Sequence, residues 1–438
     1  MNVTVVGLGK IGLPLAVQFA KKNSKVFGAD INPETVKMVN NGIEPFPGED
    51  KLQEFLTKVI ADGTLVASTN TTECVSFSDV IIVVVPLFVN EKAEPDFRAL
   101  DSATIDIAKG LKKGSLVSYE TTLPVGTTRN RFTKALEEHS GMSVGIDFHV
   151  SFSPERVLTG RVFSDLRKYP KIVAGITSEC AEIAKKFYSE HLDFDPRTDL
   201  SKKNGVWLVG SVESAEFVKL AETTYRDVNI GLANQFAKFA DELCLDIYEV
   251  ITSANSQPFS HIHSPGISVG GHCIPIYPQF YLWNNPTASI VQSARETNAG
   301  MPEYAISKIL NNFGSISGRD ILIFGLSYRD GVKEDFLSGT YDLQEQINAA
   351  GGRVVCFDPL YTDEELIEKG FTPLNPSLAD TIEIAILHNT NELYVSKIGN
   401  LPSLKYIYDG RNFLDNKGLD SRFKVQGLGN WVGESDVY

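Results

Sequence analysis

The stretch NVTVVGLGKIGLPLAVQFA, residues 2–20, sets the fold. Val3, Val5 and Val6 form a short β-branched run that suits a buried strand, and Ile11, Leu13, Leu15, Ala16, Phe19 and Ala20 follow at roughly helical spacing. Between the two, Gly7, Gly9 and Gly12 spell G-x-G-x-x-G. Asp30 stands 18 residues beyond Gly12, at the end of a second strand pattern over Lys25–Asp30. Strand, tight turn, helix and an acid closing the next strand make the dinucleotide fingerprint. The glycines permit the turn and a close backbone approach, the helix N-terminus receives a pyrophosphate, and the carboxylate accepts from a ribose diol. Asp30 would repel a 2′-phosphate, so NAD is expected over NADP. The competing reading, a turn that only packs a helix on a sheet, requires no acid at that place.

Outward from this unit, buried-type runs recur at Val80–Val85, Ser115–Tyr119 and Lys171–Ala174, with helical stretches between several of them, which predicts a mainly parallel sheet covered on both faces. From Val212 to Cys244 the pattern becomes one long helix without proline, in which Phe217, Leu220, Ala221, Thr224, Val228, Leu232 and Phe236 keep mostly three- and four-residue steps. A Pro/Gly/Ser/His-rich loop covers Ser256–Pro278, and a second helical stretch runs from Ser289 to Phe313. Strand patterns then return at Asp320–Gly325, Arg353–Phe357, Ile382–Leu387 and Lys405–Tyr408. The expected architecture is therefore α/β, with two Rossmann-like doubly wound domains at 1–200 and 313–438. A central helical region, 201–312, joins them.

The chain has 438 residues, more than one hydrophobic core sustains, and its 42% hydrophobic and 22% charged residues are those of an ordinary globular protein. A formal charge of −14 opposes phosphate backbones and anionic lipid, so neither nucleic acid nor membrane is an expected partner. The longest apolar run, Val80–Val89, is too short to span a bilayer. Because the first strand pattern begins at Asn2, no secretory leader is expected. Cys74, Cys180, Cys244, Cys273 and Cys356 are odd in number, far apart and without a C-x-x-C pair. That usage predicts a reducing cytoplasm, no metal site, and at most one special thiol.

Cys273 is the candidate. A lone cysteine is ordinarily a small buried hydrophobe, but this one lies in Gly270-Gly271-His272-Cys273-Ile274-Pro275. Two glycines allow close approach to a ligand, Pro275 stiffens the chain that follows, and His272 can favour a thiolate. Beside an NAD site, a thiolate can trap an aldehyde as a thiohemiacetal, which loses a second hydride to give a thioester that water hydrolyses.

At this point the sequence resembles the UDP-glucose/GDP-mannose dehydrogenase family. Glu120-Thr121-Thr122-Leu123-Pro124-Val125-Gly126-Thr127-Thr128 is similar to its E-S-T-x-P-x-G-T-T stretch, Ser153-Pro154-Glu155-Arg156 to its S-P-E-R motif, and Lys219-Leu220 to its K-L pair. Gly325-Leu326-Ser327-Tyr328-Arg329, Asp358-Pro359 and Asp409-Gly410-Arg411-Asn412 match its C-terminal motifs. The resemblance implies an N-terminal NAD domain, a central dimerisation region giving a homodimer, and a C-terminal UDP-binding domain. It implies Cys273 as nucleophile, Lys219 as oxyanion stabiliser, Glu155 as acid/base in thioester hydrolysis, and Thr122 as a water-positioning group. Lys10, Ile11, Pro86 and Thr122 would join Gly7, Gly9, Gly12 and Asp30 at the cofactor. Arg156, Thr223, Gly270, Tyr328 and Arg329 would join Glu155 and Lys219 around the substrate. By itself each residue also has an ordinary reading: Lys219 as a charge on a solvated helix face, Glu155 as a cap or surface charge.

Glu222-Thr223-Thr224-Tyr225-Arg226-Asp227-Val228-Asn229-Ile230 is similar to the E-N-T-Y-R-D-V-N-I run of the branch that oxidises UDP-N-acetylhexosamines. The resemblance thus implies four-electron oxidation of the C6 alcohol of UDP-GlcNAc or UDP-ManNAc, in polysaccharide biosynthesis. UDP-glucose oxidation, and a catalytically weakened nucleotide-sugar binding paralogue, stand as alternatives. Three positions depart from the family: Thr223 stands for its asparagine, Tyr277 for an aspartate and Phe336 for an arginine.

Overall fold

The computed structural model describes residues 1–415 and 417–430, and the expected third domain, 313–438, extends beyond them. It divides into two compact units, Met1–Glu222 with Gln279–Pro286, and Thr223–Pro278 with Thr287 onward. The stretch 201–312 is shared between them.

In the first unit, strands β1 (Asn2–Val6), β2 (Lys25–Ala29), β3 (Leu65–Ser68) and β4 (Val80–Val83) come first, and a two-stranded antiparallel ribbon pairs β5 (Phe88–Val89) with β6 (Pro95–Asp96). Strands β7 (Leu116–Tyr119), β8 (His149–Phe152), β9 (Lys171–Gly175) and β10 (Val206–Leu208) follow. The main sheet runs β10-β9-β8-β7-β4-β1-β2-β3, and its pairings are parallel except β8 with β9. The chain winds from β1 out to β3, then returns to β4 on the other side of β1. That reversal opens a crevice at the carboxyl ends of β1 and β4, where such sheets bind ligands. Strands β4 and β7 are buried at every residue, as expected where helices cover both faces. The Gly12–Lys21 helix buries Leu13, Leu15, Ala16, Val17, Phe19 and Ala20 into the core that holds Val3, Val5 and Val26.

The second unit repeats the plan. Strands β11 (Asp320–Phe324), β12 (Arg353–Phe357), β13 (Thr372–Pro373), β14 (Ile384–Leu387), β15 (Tyr406–Asp409) and β16 (Lys424–Gly427) form an all-parallel sheet in the order β13-β12-β11-β14-β15-β16.

The long helix covers Val212–Leu243 and ends at Cys244, whose φ of 56° is left-handed. The stretch expected as a single helix over Ser289–Phe313 is two, Ser289–Ala299 and Met301–Phe313, because Gly300 ends the first and Pro302 occupies the first turn of the second. Within this unit the long helix approaches Ser289–Ala299 so closely that a Cβ on Gly231 would lie 3.0 Å from the Ala294 Cα. The buried Asp227 carboxylate fixes the crossing by accepting from Arg295 Nη1 and Asn298 Nδ2, each at 2.8 Å. Among the described residues no helix is long and apolar enough to cross a membrane.

Candidate active site

At the β1 turn each glycine has its own physical reason. Gly7, at φ 92°, donates its N–H to the Ala29 carbonyl at 2.8 Å and turns the chain. A Cβ on Gly12 would overlap the Gly7 carbonyl oxygen and press Val84 Cγ2 at 2.7 Å, so this glycine seats helix on strand. A Cβ on Gly9 would have nothing within 4 Å. Ile11 offers no side-chain cap to the Gly12–Lys21 helix, and Leu13 donates its amide back to the Gly9 carbonyl at 3.0 Å. Open space at Gly9 beside a helix N-terminus suits a pyrophosphate, so the residues present fit NAD. Asp30 accepts from the Leu8 amide at 2.7 Å through Oδ2 and from the Asn32 amide at 2.9 Å through Oδ1. Lys10 and Ile11 are half-buried on the turn, Pro86 is exposed beyond β4, and Thr122 is buried beyond β7.

The first part of the long helix docks through two carboxylates of the same unit. Glu216 accepts from the Gly126 amide at 2.6 Å and from the Thr128 amide and hydroxyl at 2.8 and 2.7 Å. Burial pushes it up to about 7 against those donors. Glu222 receives Arg156 Nε at 2.9 Å. Lys219 lies three residues from each on the same helix face. It is buried. A solvated surface charge does not describe it.

Glu155 is no surface carboxylate either. Its Oε1 accepts from the Arg156 amide at 2.6 Å and its Oε2 from Lys171 Nζ at 2.8 Å. Lys171 also reaches Glu120 Oε2 at 2.6 Å, and Glu120 Oε1 accepts from the Tyr188 hydroxyl at 2.6 Å. Sequence reasoning missed Glu120, Lys171, Tyr188 and Glu216. One signal was available: a lysine opening a strand read as buried needs a carboxylate partner.

In the second unit the Gly270–Cys273 loop packs against Tyr328. A Cβ on Gly270 would come within 2.7 Å of the Leu337 carbonyl oxygen and the Tyr328 Cβ, and one on Gly271, at φ 90°, within 2.8 Å of the Tyr328 ring. The Gly271 amide donates to the Phe336 carbonyl at 3.0 Å. The Phe336 ring lies flat on His272, with centroids 4.1 Å apart and planes 5° apart, and His272 Nε2 meets Glu334 Oε1 at 3.3 Å. Cys273 is half-buried, whereas Cys74, Cys180 and Cys356 are buried. Tyr277, expected in the loop, instead starts the Tyr277–Asn284 helix and donates its amide to the Cys273 carbonyl at 3.0 Å.

Tyr328 and Arg329 follow the β11 turn, where Gly325, at φ 103°, donates to the Phe357 carbonyl at 2.9 Å. Asp358 Oδ2 accepts from the Leu326 and Ser327 amides at 2.9 and 2.8 Å. Thus Thr122, Glu155, Arg156 and Lys219 belong to the first unit, and Gly270, Cys273, Tyr328 and Arg329 to the second. Thr223, four residues after Lys219, is buried.

Residues 1–192 match the NAD binding domain, and residues 213–300 the central domain, of the UDP-glucose/GDP-mannose dehydrogenase family. A UDP-N-acetyl-D-mannosamine dehydrogenase of Pyrococcus horikoshii is 32% identical, over 98% of this chain and 100% of that one. One of Campylobacter jejuni is 36% identical, over 76% and 80%. A solved structure of the UDP-D-ManNAc dehydrogenase from Pyrococcus horikoshii superposes with a TM-score of 0.88 at 31% identity, covering 98% of this chain and 99% of that one.

Proposed function

The chain belongs to the UDP-glucose/GDP-mannose dehydrogenase family, and from that membership we propose that it oxidises the C6 alcohol of a UDP-N-acetylhexosamine to the carboxylate through Cys273. UDP-N-acetyl-D-mannosamine is the favoured sugar, since the relatives described above carry that name and the Glu222–Ile230 run resembles their branch. The observation that carries the proposal is the Cys273 loop: two glycines too crowded for a side chain hold a half-buried thiol beside Tyr328.

Gly9 and the first turn of the Gly12–Lys21 helix would hold NAD, which would supply the hydride acceptor for both oxidations. Cys273 Sγ adds to the aldehyde carbon, keeps it as a thiohemiacetal and then as a thioester, and is released when water attacks. Lys219 balances the oxyanion, Thr122 positions the water, and Glu155 takes its proton. Arg156, Thr223, Gly270, Tyr328 and Arg329 hold the nucleotide sugar. Leu232, Phe236, Phe239 and Leu243 are all exposed at steps of four, three and four along the long helix. Such a stripe docks a second copy of the chain, giving a homodimer, and the enzyme works in the cytoplasm.

The test is NADH absorbance with a panel of UDP sugars. We expect turnover with UDP-ManNAc or UDP-GlcNAc and little with UDP-glucose. Phe336 on His272 favours one second reading, a binding paralogue, because an apolar ring fills a place where the family has a cation. That reading wins if the wild type is inert toward every sugar while the triple change Thr223→Asn, Tyr277→Asp, Phe336→Arg creates activity.

A further inference from the structure

Behind the Glu155 carboxyl lies a cluster whose charges do not balance. Lys171 Nζ bridges Glu120 Oε2 and Glu155 Oε2, and the three side chains are 5%, 0% and 10% exposed. Tyr188, from the Ser178–His191 helix, donates to Glu120 and shares a 2.8 Å bond with Ser118 on β7. The Glu155 Oε1 is occupied by the Arg156 and Val157 amides at 2.6 and 3.2 Å. Arg156, next to Glu155 in the chain, is paired with Glu222. Two carboxylates around one ammonium leave a net negative charge in a dry interior, and such a group takes up a proton rather than remain charged.

The two carboxyls do not share that proton equally. Lys171 and two amides hold Glu155 below its ordinary range in spite of its burial. Glu120 is raised to about 7 by burial and by the charge of Glu155, against Lys171. The pair titrates as a unit, with the proton mainly on the inner member.

We propose that Glu120, acting through Lys171, is the proton acceptor that stands behind Glu155 during hydrolysis of the Cys273 thioester. The inference rests on the catalytic role proposed for Glu155. When water attacks, its proton passes to Glu155. Lys171 then gives one N–H proton to Glu120 Oε2 and takes the new proton from Glu155 Oε2. Lysine stays an ammonium, Glu120 becomes neutral, and Glu155 is again a carboxylate ready for the next turnover. Glu120 is thus a positioning residue that sets the base strength of a group touching the reacting water. A lone Glu155–Lys171 pair is neutral and a much weaker base near pH 7.

The experiment is the pH profile of kcat for the wild type, Glu120→Gln and Glu155→Gln, read by NADH absorbance with UDP-ManNAc. We expect wild-type kcat to rise with pH through about 7. Glu120→Gln keeps an oxygen acceptor for Lys171 and can donate its amide N–H to the Tyr188 oxygen, but it cannot bind the proton. It should lose that inflection and fall at pH 8 by roughly tenfold or more, with KM for NAD unchanged. If Glu155→Gln is slow while the Glu120→Gln profile superimposes on the wild type, the relay is overturned and the role of Glu155 stands. Full activity in Glu155→Gln overturns that role as well. Should Glu120→Gln not fold, infrared spectroscopy of the wild type decides: a buried protonated carboxyl band vanishing near pH 7 supports the relay, and its absence at pH 6 overturns it.

Discussion

The β1 turn and the β11 turn are built alike as far as the fold needs and differ where a ligand must sit. In each, a positive-φ glycine bonds the carbonyl that ends the neighbouring strand, Gly7 to Ala29 and Gly325 to Phe357. In each, a leucine amide donates to an aspartate just past that strand, Leu8 to Asp30 and Leu326 to Asp358. Beyond this the two part. Gly9 and Gly12 open a helix at once over empty space, whereas Ser327, Tyr328 and Arg329 lead into a long crossing before the Gly339–Ala349 helix. The acid at the end of the second strand is therefore a device of the turn itself, present in both units. Gly9 and Gly12 are what single out the cofactor unit.

Gly12→Val against Gly325→Val should show the largest contrast. Both substitutions collide with neighbours, Gly12 with the Gly7 carbonyl and Gly325 with the Asn389 amide. Each should cost about 1–3 kcal/mol or more in thermal or denaturant unfolding. Only Gly12→Val should also abolish NAD binding by calorimetry, and equal loss in both would mean that the turns do not divide the work.

A smaller effect is expected from the aspartates. Asp358 is 2% exposed and spends both oxygens on backbone amides, so Asp358→Ala leaves buried donors unpaired and should cost about 1–3 kcal/mol of stability with NAD affinity unchanged. Asp30 also takes an amide on each oxygen but is more exposed, which leaves it open to a ribose diol. Asp30→Ala should weaken NAD by about tenfold. Unchanged NAD affinity in that variant would reduce Asp30 to a turn residue.

The smallest expected effect is one of sign with pH. Glu216 in the first unit is raised by burial to about 7, so its folded form holds a proton more tightly than the unfolded chain. Its contribution is full below the ordinary carboxylate range and is lost as pH rises through about 7. His388 in the second unit is pushed down to about 3, by burial and then by Arg411. Its contribution is full above the ordinary histidine range and is lost as pH falls toward 3. Hydrogen exchange across pH 5–8 should therefore show Glu216→Gln flattening the loss in the first unit alone, and His388→Gln acting only on the second. The same response of both units to either change would contradict the assignment.

Much of this was legible in the sequence because it is local. The β1 turn, the Cys273 loop and the long helix announce themselves through glycine spacing, proline placement and apolar period over short windows. Strands β3, β8, β10, β13 and β16 did not, being two to four residues long with no run to read. Glu120 and Lys171 are 51 residues apart and meet only because β7, β8 and β9 are neighbours in the sheet. The flat contact of Phe336 on His272 spans a comparable gap. Pairing across a sheet or between loops is a property of topology, and the resemblance marked Glu155 without showing what lies behind it.

The central claim is that one thiol, Cys273, carries the sugar through both oxidations with NAD as the acceptor. The most direct measurement is the ratio of NADH formed to UDP-ManNAc consumed, with product identified by mass spectrometry, for the wild type and Cys273→Ser. The account predicts two NADH per uronate and no free aldehyde from the wild type. Cys273→Ser should turn over slower by on the order of a thousandfold, with NAD binding intact. A ratio of one with released aldehyde, or full activity in Cys273→Ser, would contradict it.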